Sequence, residues 1–329
     1  MKIKQIIIKG LYNDVNFSWQ LLPKVNILSG INGSFKTTLL KVFNHLCNAQ
    51  LLGDFFQVAQ AEVSMTEDVS IRYKSFNDSL LKLKNTSVDD MLHRIAMDMK
   101  TDMEGVDDTT LAERRLAADI IEVSKKGEDF KLADFKKAVK VDFISTFDVK
   151  WLSDKTKGKS LLDSILDDLE RDYAYYQSDL SNAIVDKIKN GNQISQKEAG
   201  QIYKYRNIFL EIVQKAFSQT DKTIVDNKSR IEFQLRDGTL IHSDALSSGE
   251  KQFLIIMLTV LLQKGEEYIL MMDEPEISMH YEWQSKLIEN ILKLNPNCQI
   301  ILSTHSPALI MDGWEQSVTN IDKIKSYNG

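Results

Sequence analysis

Four short stretches of the chain carry residue types suited to phosphate chemistry. The first is Gly30-Ile31-Asn32-Gly33-Ser34-Phe35-Lys36-Thr37. It follows the apolar run Val25-Asn26-Ile27-Leu28 and opens a helical run from Thr38 to Cys47. Strand, glycine turn and helix in that order make a phosphate-binding loop. Glycines let backbone N–H groups curl inward toward phosphate oxygens, and the helix N-terminus adds its positive end. Gly30, Asn32, Gly33, Ser34 and Thr38 would then line the cradle, Lys36 would reach the β- and γ-phosphates, and the Thr37 hydroxyl would ligate magnesium. Phe35 stands where the pattern wants glycine, and its size is expected to crowd the β-phosphate or hold the loop ajar. Alone, the stretch also reads as a Gly/Asn turn ahead of a helix.

Three further stretches support the first. Tyr268-Ile-Leu-Met-Met272 is an apolar strand ending in Asp273-Glu274-Pro275-Glu276. Such a strand puts its carboxylates at the C-terminal edge of a parallel sheet, where the glycine loop of an open α/β fold also lies. Asp273 can hold magnesium directly or through water, and Glu274 can orient or deprotonate an attacking water. Gln299-Ile-Ile-Leu302 is a strand that leads to His305, whose imidazole can come near the γ-phosphate. Ser247-Ser248-Gly249 opens an apolar helix, a second anion-binding element of small side chains and bare N–H groups. Each has a plain alternative: a charged strand end, a satisfied histidine, a serine helix cap. Two anion-binding elements with one catalytic carboxylate suggest a site shared between two copies.

The elements that must position these residues are long and regular, as 4 prolines and 14 glycines in 329 residues imply. Hydrophobic residues at 43% and charged residues at 27% describe a globular chain. The net charge of −6 gives no global footprint for nucleic acid, so such a contact would be local, through Lys131 to Lys140, or made by a partner. No apolar run is long enough to span a bilayer, and no signal peptide is evident, so no membrane partner is expected. Cys47 and Cys298 lack metal-ligand spacing and read as reduced core thiols, which suits a cytoplasmic location.

Strands are expected at Ile3 to Ile8, Asn16 to Leu21 and Val25 to Leu28, followed by a helix from Lys36 to about Leu52. Val69–Lys74 and Leu80–Leu83, flanking Phe76-Asn77-Asp78, read as a hairpin. Residues 88–137 read as charged and mostly helical, with breaks near Gly105 and Gly127, before a strand over Ala138 to Phe147. Apolar residues at helical spacing over Ser160 to Lys189 predict a helix roughly 45 Å long. After Asn190-Gly191-Asn192, the capping box Ser195-Gln-Lys-Glu198 starts a second helix to about Phe217. The pair forms a projecting arm or part of a helical lobe; Tyr173, Tyr175, Tyr176, Tyr203 and Tyr205 read as packing residues before they read as a partner surface. Ile231 to Leu235 and Thr239 to His242 form a hairpin.

Taken together, the motifs resemble those of the ABC-type ATPases. Gly30–Thr37 is similar to the Walker A, Leu246–Glu250 to the signature motif, Ile269–Glu274 to the Walker B with its catalytic glutamate, and His305 to the switch histidine. The wording is closest to the SMC, RecF and OLD-like branch, which includes ATPases of bacterial phage defence. The resemblance covers residues 1–50 and 230–311. It implies an α/β P-loop NTPase fold of ABC-ATPase type, with a mixed central sheet, an N-terminal antiparallel β subdomain and an inserted helical hairpin or lobe. Residues 1–85 and 225–329 would form the core, and 86–224 the mainly helical insertion, with one core strand near 138–147.

The resemblance further implies ATP and Mg2+ sandwiched head-to-tail in a homodimer. Ser248 and Gly249 of one copy would contact the γ-phosphate held by Lys36 of the other, and Ile277 to His280 would lie across the seam. Glu274 and His305 would be catalytic, Asp273 and Thr37 would hold the metal, and Ser247 would join the cofactor-binding set. The sequence after Phe147-Asp148 offers no glutamine for a glutamine loop. Three functions compete: an ATPase switch acting on a nearby-encoded effector such as a nuclease or toxin, or on a DNA-processing complex; a scarcely hydrolysing nucleotide scaffold, as Phe35 hints; and a transporter ATPase subunit, which the signature wording disfavours.

Overall fold

The computed structural model describes residues 1–52, 56–75, 120–145, 160–190, 194–225, 230–311 and 313–327. In chain order these form β1 (Ile3–Leu11), β2 (Val15–Gln20), β3 (Val25–Ser29), α1 (Lys36–Cys47), β4 (Gln60–Met65), β5 (Val69–Lys74), β6 (Ile120–Lys125), β7 (Glu128–Asp129), α2 (Leu132–Ala138) and β8 (Val141–Ser145). There follow α3 (Leu161–Lys189), α4 (Gln196–Ile202), α5 (Lys204–Phe217), β9 (Lys222–Val225), β10 (Glu232–Leu235), β11 (Leu240–His242) and α6 (Ser248–Leu262). The last are β12 (Ile269–Asp273), α7 (Tyr281–Leu294), β13 (Gln299–Ser303), α8 (Pro307–Ile310), β14 (Val318–Asn320), α9 (Ile321–Ile324) and β15 (Lys325–Tyr327). The chain divides into two compact units: Met1–Pro23, Asn32–Val141 and Thr319–Gly329 form one, Lys24–Ile31 and Asp142–Val318 the other.

The first unit is built on an antiparallel sheet in the order β15-β2-β1-β4-β5-β6-β7. Strand alternation buries Ile3, Ile6, Ile8 and Leu11 of β1 and Phe17 and Trp19 of β2. Helix α1 packs on β4 and β5 with Leu39, Leu40, Val42, Phe43, Leu46 and Cys47 buried. It ends at Cys47, short of the expected Leu52, where Ala49 takes a left-handed φ of 50°.

Of the stretch 88–137, expected to be mostly helical, residues 88–119 lie outside the described residues, Leu132–Ala138 is a helix, and the part between them corrects the expectation. In it, Ile120–Lys125 and Glu128–Asp129 are strands, because Ile121 and Val123 alternate inward between polar neighbours. The break at Gly127 is their hairpin turn, with Lys126 and Gly127 at φ 54° and 83°. Strand β5 pairs with β4 and β6, while Leu80–Leu83 and Gly105 lie outside the described residues.

The second unit holds strands β3, β13 and β12 of a five-stranded sheet ordered β14-β3-β13-β12-β8, and the three-stranded sheet β11-β10-β9. Strands β3, β13 and β12 run parallel, with Leu28 beside Ser303 and Ser303 beside Asp273. Their C-terminal ends therefore share one sheet edge, and Gly30 follows β3 there. Helix α6 is apolar all round and buried, flanked by α3, α5 and α7. Ser160 caps α3 through a reciprocal box with Asp163, and the Ser195–Glu198 box caps α4 as expected. The second helix of the expected pair is two, α4 and α5, divided at Tyr203 with φ −87° and ψ 4°. The expected hairpin of β10 and β11 gains a third strand, β9. The described helices include none long and apolar enough to cross a membrane.

Candidate nucleotide site

Within the first unit, the glycine loop runs into α1 through a left-handed residue. Gly33 takes φ 79° and Phe35, the N-cap of α1, takes φ 75° and ψ 15°. Asn32 and Gly33 are exposed, Thr37 and Thr38 half-buried, and Ser34 and Lys36 buried at 6% exposure each. A left-handed conformation costs a side-chain-bearing residue about 1–2 kcal/mol, which is why the pattern wants glycine there. Phe35 keeps this conformation with its ring 5.9 Å from that of Tyr12 and 6.4 Å from that of Phe17, so aromatic packing offsets the strain.

Within the second unit, the strand ends bring three predicted residues together. Asp273 is fully buried, and the Ser303 hydroxyl donates to its Oδ1 at 2.5 Å. The Glu274 N–H donates to the Ser303 carbonyl at 3.1 Å, and Glu274 itself sits at φ 49°. Non-glycine residues held there are uncommon and concentrate at functional sites. The next turn returns His305, whose Nε2 lies 3.2 Å from Glu274 Oε1. Such a pair can hold an imidazole in one orientation while leaving a carboxylate oxygen for a water.

Ser247 caps α6 in a reciprocal box with Glu250, and Ser247 and Ser248 are exposed. Burial by itself pushes the Glu250 carboxyl up, but hydrogen bonds from Lys222, Thr220 and Ser247 prevail and hold it below the ordinary glutamate value. Gly249 is buried. A Cβ on it would fall 2.0 Å from the Ser278 carbonyl oxygen. The glycine of this motif is therefore required by packing of α6 on the turn after β12.

Residues that sequence reasoning missed surround these. Glu276 accepts from Thr304, His305 and Ser306, and Ser303 holds Asp273. The clue to Glu276 was its place two residues beyond Glu274, a carboxylate that the fold would have to bury. Among the described residues no three His, Cys, Asp or Glu side chains are grouped to hold a metal ion. One buried carboxylate beside a hydroxyl suits magnesium, which keeps several waters and takes phosphate oxygens alongside one or two carboxylates. The region after Phe147-Asp148, where a glutamine loop was sought, lies outside the described residues.

Residues 1–310 match the family model of the AAA ATPase domain. The chain belongs to that family. This AAA-domain chain is 27% identical over 195 residues to the retron Vc95 probable ATPase of Vibrio cholerae serotype O1 biovar El Tor, covering 56% of the chain and 35% of that protein. It is 38% identical over 84 residues to an uncharacterized protein of Dictyostelium discoideum, covering 23% of the chain and 11% of that protein. The match thus spans about a third of the first relative and about a tenth of the second. Among solved structures, the fold is similar to the Smc head domain of Pyrococcus furiosus bound to the C-terminal domain of ScpA, with TM-score 0.52 at 11% identity, covering 99% of this chain and 96% of that one. It is also similar to an Smc head bound to the C-winged helix domain of ScpA, with TM-score 0.53 at 11% identity, over 95% and 92% of the two chains. The fold is that of SMC heads, a P-loop NTPase fold.

Proposed function

We propose that the chain hydrolyses Mg-ATP, pairs head-to-tail with a second copy around the nucleotide, and acts as a switch for a partner effector in bacterial defence or DNA processing. The observation that carries this reading is the Glu274–His305 pair at 3.2 Å beside a buried Asp273, all at the C-terminal edge of a parallel sheet. Glu274 takes a proton from water as the water oxygen bonds to the γ-phosphorus. The bond from phosphorus to the bridging oxygen breaks, and ADP and phosphate leave. His305, oriented by Glu274, hydrogen-bonds the γ-phosphate. Lys36 and the N–H groups of Gly30, Asn32, Gly33, Ser34 and Thr38 would hold the phosphate chain, and Thr37 and Asp273 would hold the metal. Magnesium, when bound, draws off charge that develops on the phosphate oxygens.

Ser248 and Gly249 of one copy, with Ser247 beside them, contact the γ-phosphate held by Lys36 of the other, and the bare Cα of Gly249 also lets the turn at Ser278 close on α6. Residues 1–85 and 225–329 serve as the ATPase core, and the helices within 86–224 carry motion to the effector. The likeness to a retron ATPase supports a defence setting, and an effector encoded nearby, a nuclease or toxin, is the partner we infer. The buried thiols and the lack of an apolar spanning helix among the described residues support a cytoplasmic location.

Complementation tests the reading. Lys36→Ala and Ser248→Arg chains are each expected to release phosphate no faster than background. Mixed, they form heterodimers with one intact composite site and regain turnover. A mixture as inactive as its parts, while wild type is active, would remove the shared site.

A further inference from the structure

We propose that Glu276 is a positioning residue for the His305–Glu274 pair. The proposal rests on the ATPase reading, but its first measurement does not need turnover. Glu276 is 7% exposed. Its Oε1 accepts from the Thr304 hydroxyl, from the His305 N–H at 3.1 Å and from the Ser306 N–H at 3.2 Å. Its Oε2 is closed off from solvent and meets no hydrogen-bond donor among the described residues. One charged oxygen thus grips three successive residues of the turn after β13, and charge-assisted bonds of this kind are stronger and more directional than neutral ones.

The grip falls on the backbone of His305 itself. With that N–H fixed, the ring reaches Glu274 from one direction. A second tie runs beside it: Gln284 donates to the Met279 carbonyl at 2.9 Å and accepts from the Ser306 hydroxyl at 2.6 Å. The Glu276–Met279 turn is also the one that Gly249 packs against. The start of α6, the turn after β12 and the turn after β13 are therefore joined, with Glu276 at the junction. A partner pressing on Ser247 and Ser248 would be felt at His305 through these contacts.

The experiment uses the full chain with 15N-labelled histidine. The chain has five histidines, and His305→Gln assigns the ring signal of interest. Glu276→Gln keeps an acceptor oxygen of equal reach without charge; Glu276→Ala keeps none. We expect the His305 ring signals to move toward those of an exposed histidine in Glu276→Ala and part of the way in Glu276→Gln. Turnover is expected to fall in the same order, by about 100-fold in kcat for alanine, as for a misplaced catalytic group. Affinity for a fluorescent ATP analogue stays within about threefold, because Lys36 and the loop N–H groups that hold most of the phosphate chain are untouched. If Glu276→Ala does not fold, Glu276→Gln and Thr304→Val carry the test with the same expected direction. Unmoved His305 signals and unchanged kcat in a folded variant would overturn the proposal. A wild type without turnover would instead remove the ATPase reading, while the His305 signals still decide the role of Glu276.

Discussion

Gly249→Ala is the substitution whose consequence the structure fixes most tightly. The added Cβ would lie 2.0 Å from the Ser278 carbonyl oxygen and 2.9 Å from its carbonyl carbon. Ordinary contact is more than an ångström longer than the first, so backbone must move. That backbone is held: Ser278 is left-handed at φ 66°, the Met279 N–H donates to the Glu276 carbonyl at 2.9 Å, and Gln284 binds the Met279 carbonyl. Overpacking a fitted contact costs about 1–3 kcal/mol. Disturbing one such hydrogen bond adds about 1 kcal/mol, and the better helix propensity of alanine returns up to about 1 kcal/mol. The net expectation is a loss of about 2 kcal/mol, a fall of roughly 4–8 °C in melting midpoint. Thermal denaturation followed by circular dichroism measures it, with Ser248→Ala as the exposed neighbour, expected to change stability by under about 0.5 kcal/mol. A Gly249→Ala chain that melts with wild type would refute the packing account and leave the glycine to ligand contact alone.

Further outcomes follow from the same geometry. Glu250 titrates below its unfolded value, so its contribution to stability is full above the ordinary glutamate range and is lost as pH falls through its folded value. The melting midpoint of wild type should therefore drop below about pH 5 more steeply than that of Glu250→Gln, and parallel curves would contradict the assignment. Phe35→Gly relieves about 1–2 kcal/mol of left-handed strain and forfeits a half-buried ring, so stability should change by no more than about 1 kcal/mol. Its affinity for ATP should rise, and a fluorescence titration showing weaker binding would instead make Phe35 a supporting residue. Burial pushes the Cys47 thiol up to about 12. Ellman's reagent should therefore leave both buried cysteines unmodified in the native chain and label both in guanidinium.

What could be read from sequence was local. The glycine loop, the two apolar strands ending at Asp273 and Ser303, and the capping boxes at Ser195 and Ser247 are each written in under ten consecutive residues. Their partners sit close by, so composition alone announces them. Strand β6 was hidden because its inward residues, Ile121 and Val123, are set among charges that suggested a solvated helix. Helix α7 was legible in the spacing of Trp283, Leu287, Ile288, Ile291 and Leu294, but the motifs on either side drew the reading past it. The roles of Glu276 and Gly249 depend on partners 28 to 30 residues away, brought near only by the fold. Phe35 showed itself as a departure, yet the rings of Tyr12 and Phe17 that accommodate it could not be foreseen from the loop.

Phosphate release from ATP by the purified chain, set against Glu274→Gln, tests the central claim most directly. Turnover in wild type that falls by about 100-fold or more in Glu274→Gln, with ATP still bound by both, is the expected result. Equal rates in the two chains would contradict it, leaving a nucleotide-binding scaffold in place of an enzyme.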